Sequence, residues 1–171
     1  MILPPSFFNQ PVLDVAPQLL GKYLVRRMGR RIIALPITEL EAYDGPHDLA
    51  CHGRFGPTPR TQVMFGHAGN FYVYLIYGMY WMLNIVTGPV GYPAAILIRG
   101  VGHLDGPGKV TKHLSIDKQF DNQPNTSATG LWIEDRGLLI PSQQIITTPR
   151  IGVTYAGPMW SQVPYRFVAK I

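Results

Sequence analysis

NFYVYLIYGMYWMLNIV, residues 70–86, is dense in Tyr, Val and Ile and carries one glycine near its centre. Aromatic and β-branched side chains favour strands, and Gly78 supplies the freedom that a tight reversal needs. The stretch therefore predicts two buried strands meeting at Tyr77-Gly78-Met79, with Tyr77 near an exposed tip. It lies inside a longer segment, Ala68 to Ile98, that has no Asp, Glu, Lys or Arg and is long enough to span a bilayer. Gly78, Asn84, Gly88, Pro89, Gly91 and Pro93 interrupt that segment, and its strand-favouring composition argues against a transmembrane helix.

Outward from the hairpin, 18 glycines and 16 prolines in 171 residues predict short elements joined by many turns, a mixed α/β fold rather than a helical bundle. Upstream, Asp14 is the expected cap of a helix over VAPQLL that stops at Gly21, followed by strands in KYLVRRM and RRIIALPITELEAY. VRRMGRRI reads as a tight hairpin with Arg26, Arg27, Arg30 and Arg31 near its tip. PHDLAC, with Pro46 at a first helical position and Gly53 past its end, predicts a short helix that carries His52 near its C-terminus. HGRFGPTPRT reads as loop. Downstream, AAILIRGV, GLWIED, LLIPS and YRFVAKI are strand candidates, and a second short helix is expected after Gly108 in GKVTKHLSI.

A net charge of +5 fits a polyanionic partner or a solubility setting, and charge alone does not choose between them. The single Cys51 excludes an internal disulfide, and Met1-Ile2-Leu3-Pro4-Pro5 is not the start of a secretory signal, so a reducing cytosol is the expected compartment. GPGK at 106–109 fails as a nucleotide-binding loop, because His103 stands at the first glycine position and Val110 follows the lysine. Glycines leading into a helix with Lys109 and Lys112 fit either a DNA phosphate or an ordinary helix start. His47, Asp48 and His52 lack a second cluster to complete a metal site, and Cys51 beside His52 in sequence makes no nucleophile–base pair.

Four of the ten acids, Glu39, Glu41, Asp44 and Asp48, fall within ten positions of this basic chain. Strand alternation in ITELEAY puts Ile37, Glu39, Glu41 and Tyr43 on one face, with the two glutamate Cα atoms about 6.6 Å apart. Such a pair is either an exposed polar face or a carboxylate held where water is activated, since repulsion or burial raises a Glu pKa toward the range of a general base.

TELEAYDGPHDLACHGRFGPTPRTQVMFGHAGNFYVYLIYGMYWMLNI, with LIRG, GPGKVTKHLSIDKQFD and PRIGVTYAG after it, closely resembles the alkyladenine (3-methyladenine) DNA glycosylases over nearly the whole chain. The resemblance implies an α+β fold in which residues 1–171 form a single compact catalytic domain, with a curved, mainly antiparallel β-sheet core, short flanking helices and a protruding β-hairpin. It implies a monofunctional base-excision enzyme that flips a damaged purine (3-methyladenine, 7-methylguanine, hypoxanthine or ethenoadenine) from duplex DNA and hydrolyses its N-glycosidic bond. Glu41 matches the general base, Arg99 the arginine that helps hold the attacking water, and Ile151 the position whose carbonyl does the same. Tyr43, His52 and Tyr74 match the base pocket, and Asn84 matches the side chain that obstructs the amino group of normal guanine. Tyr77 matches the residue that fills the gap in the stack, with Met79 beside it, and Arg60, Lys109 and Lys112 are the expected phosphate contacts. No cofactor and no metal are implied. The partner is double-stranded DNA, without a membrane, and the protein is expected to be a monomer in the cytoplasm, or in the nucleus of a eukaryote. Leu40 stands where relatives often have threonine, and Ala68 where proline is common. A non-catalytic binder of distorted DNA with the same fold is the alternative, and a small-ligand nucleosidase is disfavoured by the tyrosine hairpin and the arginine-rich turn, which a free nucleoside would not use.

Overall fold

The structure, a computed structural model, describes residues 1–170. Two short helices, α1 (Pro5–Phe8) and α2 (Val12–Leu19), lead into strands β1 (Tyr23–Met28) and β2 (Arg31–Asp44). Strands β3 (Phe71–Ile76), β4 (Tyr80–Val86), β5 (Ala94–Val101) and β6 (Leu104–Asp105) follow, then α3 (Pro107–His113). The chain continues through β7 (Leu131–Glu134), β8 (Ile145–Thr148), α4 (Gly157–Trp160) and β9 (Arg166–Ala169). The strands form one curled antiparallel sheet, ordered β3-β4-β5-β2-β1-β7, with β9 also on β2 and β8 on β9. This is the α+β domain expected of the sequence, and the charge-free stretch is three of its strands; among the described residues no helix is long and apolar enough to cross a membrane.

Helix α2 turns Val12, Val15, Ala16 and Leu19 inward at helical spacing, where they join Leu40, Ala42, Ile96 and Ile98 from the sheet in one core. Its start corrects the expectation for Asp14: the helix begins after Pro11, whose carbonyl accepts the Asp14 and Val15 N–H groups, and Asp14 sits inside the first turn. Two other expectations fail. Residues 138–142, LLIPS, form no strand; Pro141 lacks a donor, and the β8 strand begins beyond it at Ile145. Residues 46–51 form turns rather than a helix, and His52 instead opens a single 3-10 turn, His52–Phe55. The reason is Asp48, whose side chain accepts the N–H groups of Asp44 and Ala50 and so offers the backbone an alternative to helical bonds.

The pairing of β2 with β5 sets the site. Between Ile37↔Val101 and Glu39↔Gly100 the β2 strand carries one extra residue, Thr38; between Glu39↔Gly100 and Leu40↔Ile98 the β5 strand carries one extra, Arg99. Two bulges therefore offset one another, and bulges re-aim the side chains beside them. They also break the expected alternation, since Ile37 is buried in the core with Leu40 and Ala42 instead of sharing the glutamate face.

Candidate active site

Glu39 and Glu41 project to the same side of β2, and Arg99, the extra residue of β5, lies between them. Its Nε donates to Glu39 Oε1 at 2.8 Å and is 3.4 Å from Glu41 Oε1. Glu39 also accepts Arg166 Nε at 2.7 Å. Burial works to raise the Glu39 pKa, but its bonds to Arg166 and Arg99 outweigh burial and hold it below the usual carboxylate value. Glu39, which the sequence left without a role, thus anchors the arginine that faces Glu41.

Glu41 is fully buried. Its Oε2 accepts the Tyr43 hydroxyl at 2.9 Å and its Oε1 accepts the Ile151 N–H at 2.7 Å. Burial raises its pKa above the ordinary value, against the lowering effects of Arg99, the Ile151 N–H, Tyr43 and Arg150. Burial thus makes this carboxylate more basic than a solvated glutamate, the direction that suits a general base.

A cleft of about 360 Å³ opens in front of it, walled by Tyr43, His52, Tyr74, Tyr77 and Tyr155, with Arg99 and Ile151 at its base. The His52 ring meets Tyr74 edge-on at 5.0 Å, and Tyr72 lies 5.0 Å from Tyr74 on the inner side. Burial, then the nearby Arg60 charge, lowers the His52 pKa to about 4, so the imidazole is neutral at pH 7. Behind these rings a recess of about 10 Å³, bounded by Tyr72, Met64 and Asn84, has room for no more than a water. Asn84 donates its amide nitrogen to the Tyr72 and Met82 carbonyls at 3.1 and 3.3 Å, which fixes the orientation of the side chain.

Sequence reasoning thus placed Glu41, Arg99, Ile151, Tyr43, His52, Tyr74 and Asn84 in one site, and the structure brings them together there, with Ile151 touching Glu41 through its N–H. Tyr77 is at the tip of the β3–β4 hairpin and 87% exposed, with Met79 close by and 64% exposed. The expected phosphate contacts are dispersed: the Arg60 guanidinium lies 4.6 Å from the Tyr74 ring centre, Lys109 pairs with Asp105, and Lys112 borders a groove with Met79 and Tyr80. Sequence reading missed Tyr155, which donates to the Ala50 carbonyl at 2.8 Å while walling the cleft, and Arg150, which pairs with Asp48 behind Tyr43. For Asp48 the sequence signals were its place in the acidic cluster and beside His47 and His52; Arg150 and Tyr155 lie in the family stretch PRIGVTYAG, but no role was read for either.

A curled antiparallel sheet thus presents a buried glutamate at a cleft walled by tyrosines. The profile of the methylpurine-DNA glycosylases (MPG) matches residues 6–105 and 102–171. A DNA-3-methyladenine glycosylase of Arabidopsis thaliana is 40% identical over 186 residues, covering 97% of this chain and 70% of the relative. A protein of Anaeromyxobacter dehalogenans (strain 2CP-1), named as a candidate 3-methyladenine DNA glycosylase, is 42% identical over 177 residues, covering 99% of this chain and 83% of its own. One of Ehrlichia ruminantium (strain Welgevonden), named in the same way, is 47% identical over 164 residues, 91% of this chain and 84% of its own. The chain belongs to the methylpurine-DNA glycosylase family of DNA repair.

Proposed function

We propose that this protein is a monofunctional glycosylase that flips a damaged purine out of duplex DNA and hydrolyses its N-glycosidic bond. The observation that carries the reading is Glu41: a buried carboxylate of raised basicity, held at both oxygens and facing an aromatic cleft. The flipped base stacks among Tyr43, His52 and Tyr74, which recovers part of what leaving the helix costs. The recess behind them is too small for a purine, so the base occupies the cleft, with its six-membered ring toward Asn84 and its sugar toward Glu41. Arg99 and Ile151 hold a water beside Glu41. Glu41 takes its proton as the oxygen bonds to C1′, and the C1′–N bond breaks with its electron pair leaving on the base. The carboxylate charge also stabilises the oxocarbenium-like centre. Tyr77 fills the vacated place in the stack, and Met79 packs beside it. Arg60, Lys109 and Lys112 contact the phosphates around this opening. The lesions are alkylated, deaminated and etheno purines, and the protein acts as a monomer.

The test is Glu41→Gln in single-turnover excision from duplexes carrying hypoxanthine or ethenoadenine, and from methylated DNA, with alkali to reveal abasic sites. Damaged DNA is still bound while excision falls by roughly two or more orders of magnitude, the scale of a lost general base. Wild-type activity in this variant would remove Glu41 from its role. Tight binding by the wild type without product from any duplex would favour a binder of distorted DNA.

A further inference from the structure

Asp48 and Arg150 are fully buried and joined as a bidentate pair, Nη1 to Oδ2 and Nη2 to Oδ1, the second at 2.8 Å. Asp48 also accepts the backbone N–H groups of Asp44 and Ala50, so its oxygens are filled. Arg150 reaches further. Nη1 donates to the Ala42 carbonyl at 2.8 Å, and the guanidinium lies 4.8 Å from the ring centre of Tyr43. Its Nε is buried with no partner among the described residues. A pair present only for stability has little reason to hold this arrangement, because apolar residues of similar volume often stabilise as well or better.

What the pair touches explains it. Ala42 is the residue between Glu41 and Tyr43; Ile151, whose N–H meets Glu41, directly follows Arg150; and the loop that carries Asp48 leads into His52. Neither Asp48 nor Arg150 lines the cleft. The groups that face Glu41 are Tyr43 and Glu39 on β2, Arg99 on β5, Tyr74 on β3, Arg166 on β9 through Glu39, and the Arg150–Ile151 segment. Of the cations in that set, Arg99 and Arg166 are paired with Glu39, and Arg150 with Asp48.

Resting on the glycosylase reading above, we propose that the Asp48–Arg150 pair is a positioning device for the reaction centre. It sets the Tyr43 hydroxyl and the Ile151 N–H on Glu41, and Asp48 cancels the guanidinium charge so that Arg150 does not offset the field of the Glu41 carboxylate at the cation forming at C1′. Asp48 and Arg150 are positioning residues, acting through Glu41 and Tyr43 rather than on the substrate.

The experiment measures single-turnover excision between pH 5 and 8, on whichever of the hypoxanthine, ethenoadenine or methylated duplexes the wild type cuts fastest, with thermal melting of every variant. Asp48→Asn leaves the Arg150 charge uncancelled beside Glu41. That favours the ionised carboxylate, so the acid limb of the profile moves to lower pH while the plateau falls tenfold or more. The double variant Asp48→Asn/Arg150→Gln has no net charge at the pair; its acid limb returns to the wild-type position and its plateau stays low. Arg150→Lys keeps the charge but loses the fork, lowering the plateau with an unmoved limb, and it serves if Asp48→Asn does not fold. An acid limb that stays put in Asp48→Asn, with a rate loss no larger than its loss of folded protein, would overturn the proposal, as would an unchanged plateau. A wild type that cuts none of the three substrates fails the glycosylase reading and brings this inference down with it.

Discussion

Two hairpins lie toward opposite edges of the sheet, and their exposed-looking residues have opposite fates. At the β1–β2 turn, Arg26 donates through Nε to the Leu114 carbonyl at 2.9 Å and through Nη1 to the Gly130 carbonyl at 3.1 Å, while lying over the Phe120 ring. Arg27 donates to the Ser127 carbonyl at 2.9 Å. Two of the four guanidinium groups near this tip are therefore occupied by the protein itself. At the β3–β4 turn nothing is occupied. Tyr77 holds a φ of +51°, in the left-handed region that non-glycine residues seldom adopt, and points an exposed ring into the mouth of the cleft. Residue type suggests what a side chain can do; only the packing shows whether it is already engaged.

Replacing Tyr77 by Ser is the change that most sharply separates the two turns. On the proposed wedge role the flipped state loses the ring that fills the stack, and excision under limiting enzyme is expected to fall about tenfold or more, given that stacking on one aromatic ring is worth about 1–3 kcal/mol. Melting temperature stays within a degree or two of the wild type, because the ring buries little. Unchanged affinity for damaged DNA together with unchanged excision would count against a wedge at this tip. Arg26→Ala is the mirror image. It removes two charge-assisted bonds to buried carbonyls and the cover over Phe120, and lowers stability by about 1–2 kcal/mol in chemical denaturation. Its excision rate per folded molecule holds. A loss of activity without a loss of stability would return Arg26 to the DNA.

The same contrast separates what the sequence disclosed from what it withheld. Strands β3 and β4 were legible because local propensity, the glycine reversal and tertiary burial all agree there. The pairing of Glu39 and Glu41 on one side was legible from alternation, and the two do share Arg99. Alternation could not reveal that Ile37 leaves that face, because the offsetting bulges at Thr38 and Arg99 exist only once β2 meets β5. The failed helix over residues 46–51 has the same origin. Its local signals were sound, but Asp48 is drawn inward by Arg150, a partner 102 residues away. The β8 strand was missed because it is short and half-exposed and is defined by its pairing with β9. Residue roles at the site came from the family motif; their mutual geometry came from long-range contacts that no local pattern encodes.

The smallest expected effect belongs to the two arginines that do remain outward, Arg30 and Arg31. Arg31 opens β2, ten residues or about 33 Å along the strand from Glu41 at about 3.3 Å per residue, and Arg30 lies in the turn just before it. A duplex centred on the cleft at Glu41 would have to run for about ten base pairs along the length of β2, at about 3.4 Å each, to reach them. The double variant Arg30→Ala/Arg31→Ala therefore leaves the salt dependence of damaged-DNA binding unchanged, although it removes two positive charges. Measured as the slope of log affinity against log salt, each phosphate contact contributes about 0.9, so a real contact by both would lower the slope by about 1.8. That drop would put the β1–β2 turn on the DNA, bend the bound duplex along the length of β2, and dissolve the contrast between the two hairpins. An unchanged slope leaves Tyr77 as the one hairpin tip that meets DNA and makes the outer arginines a solubility feature of a basic surface.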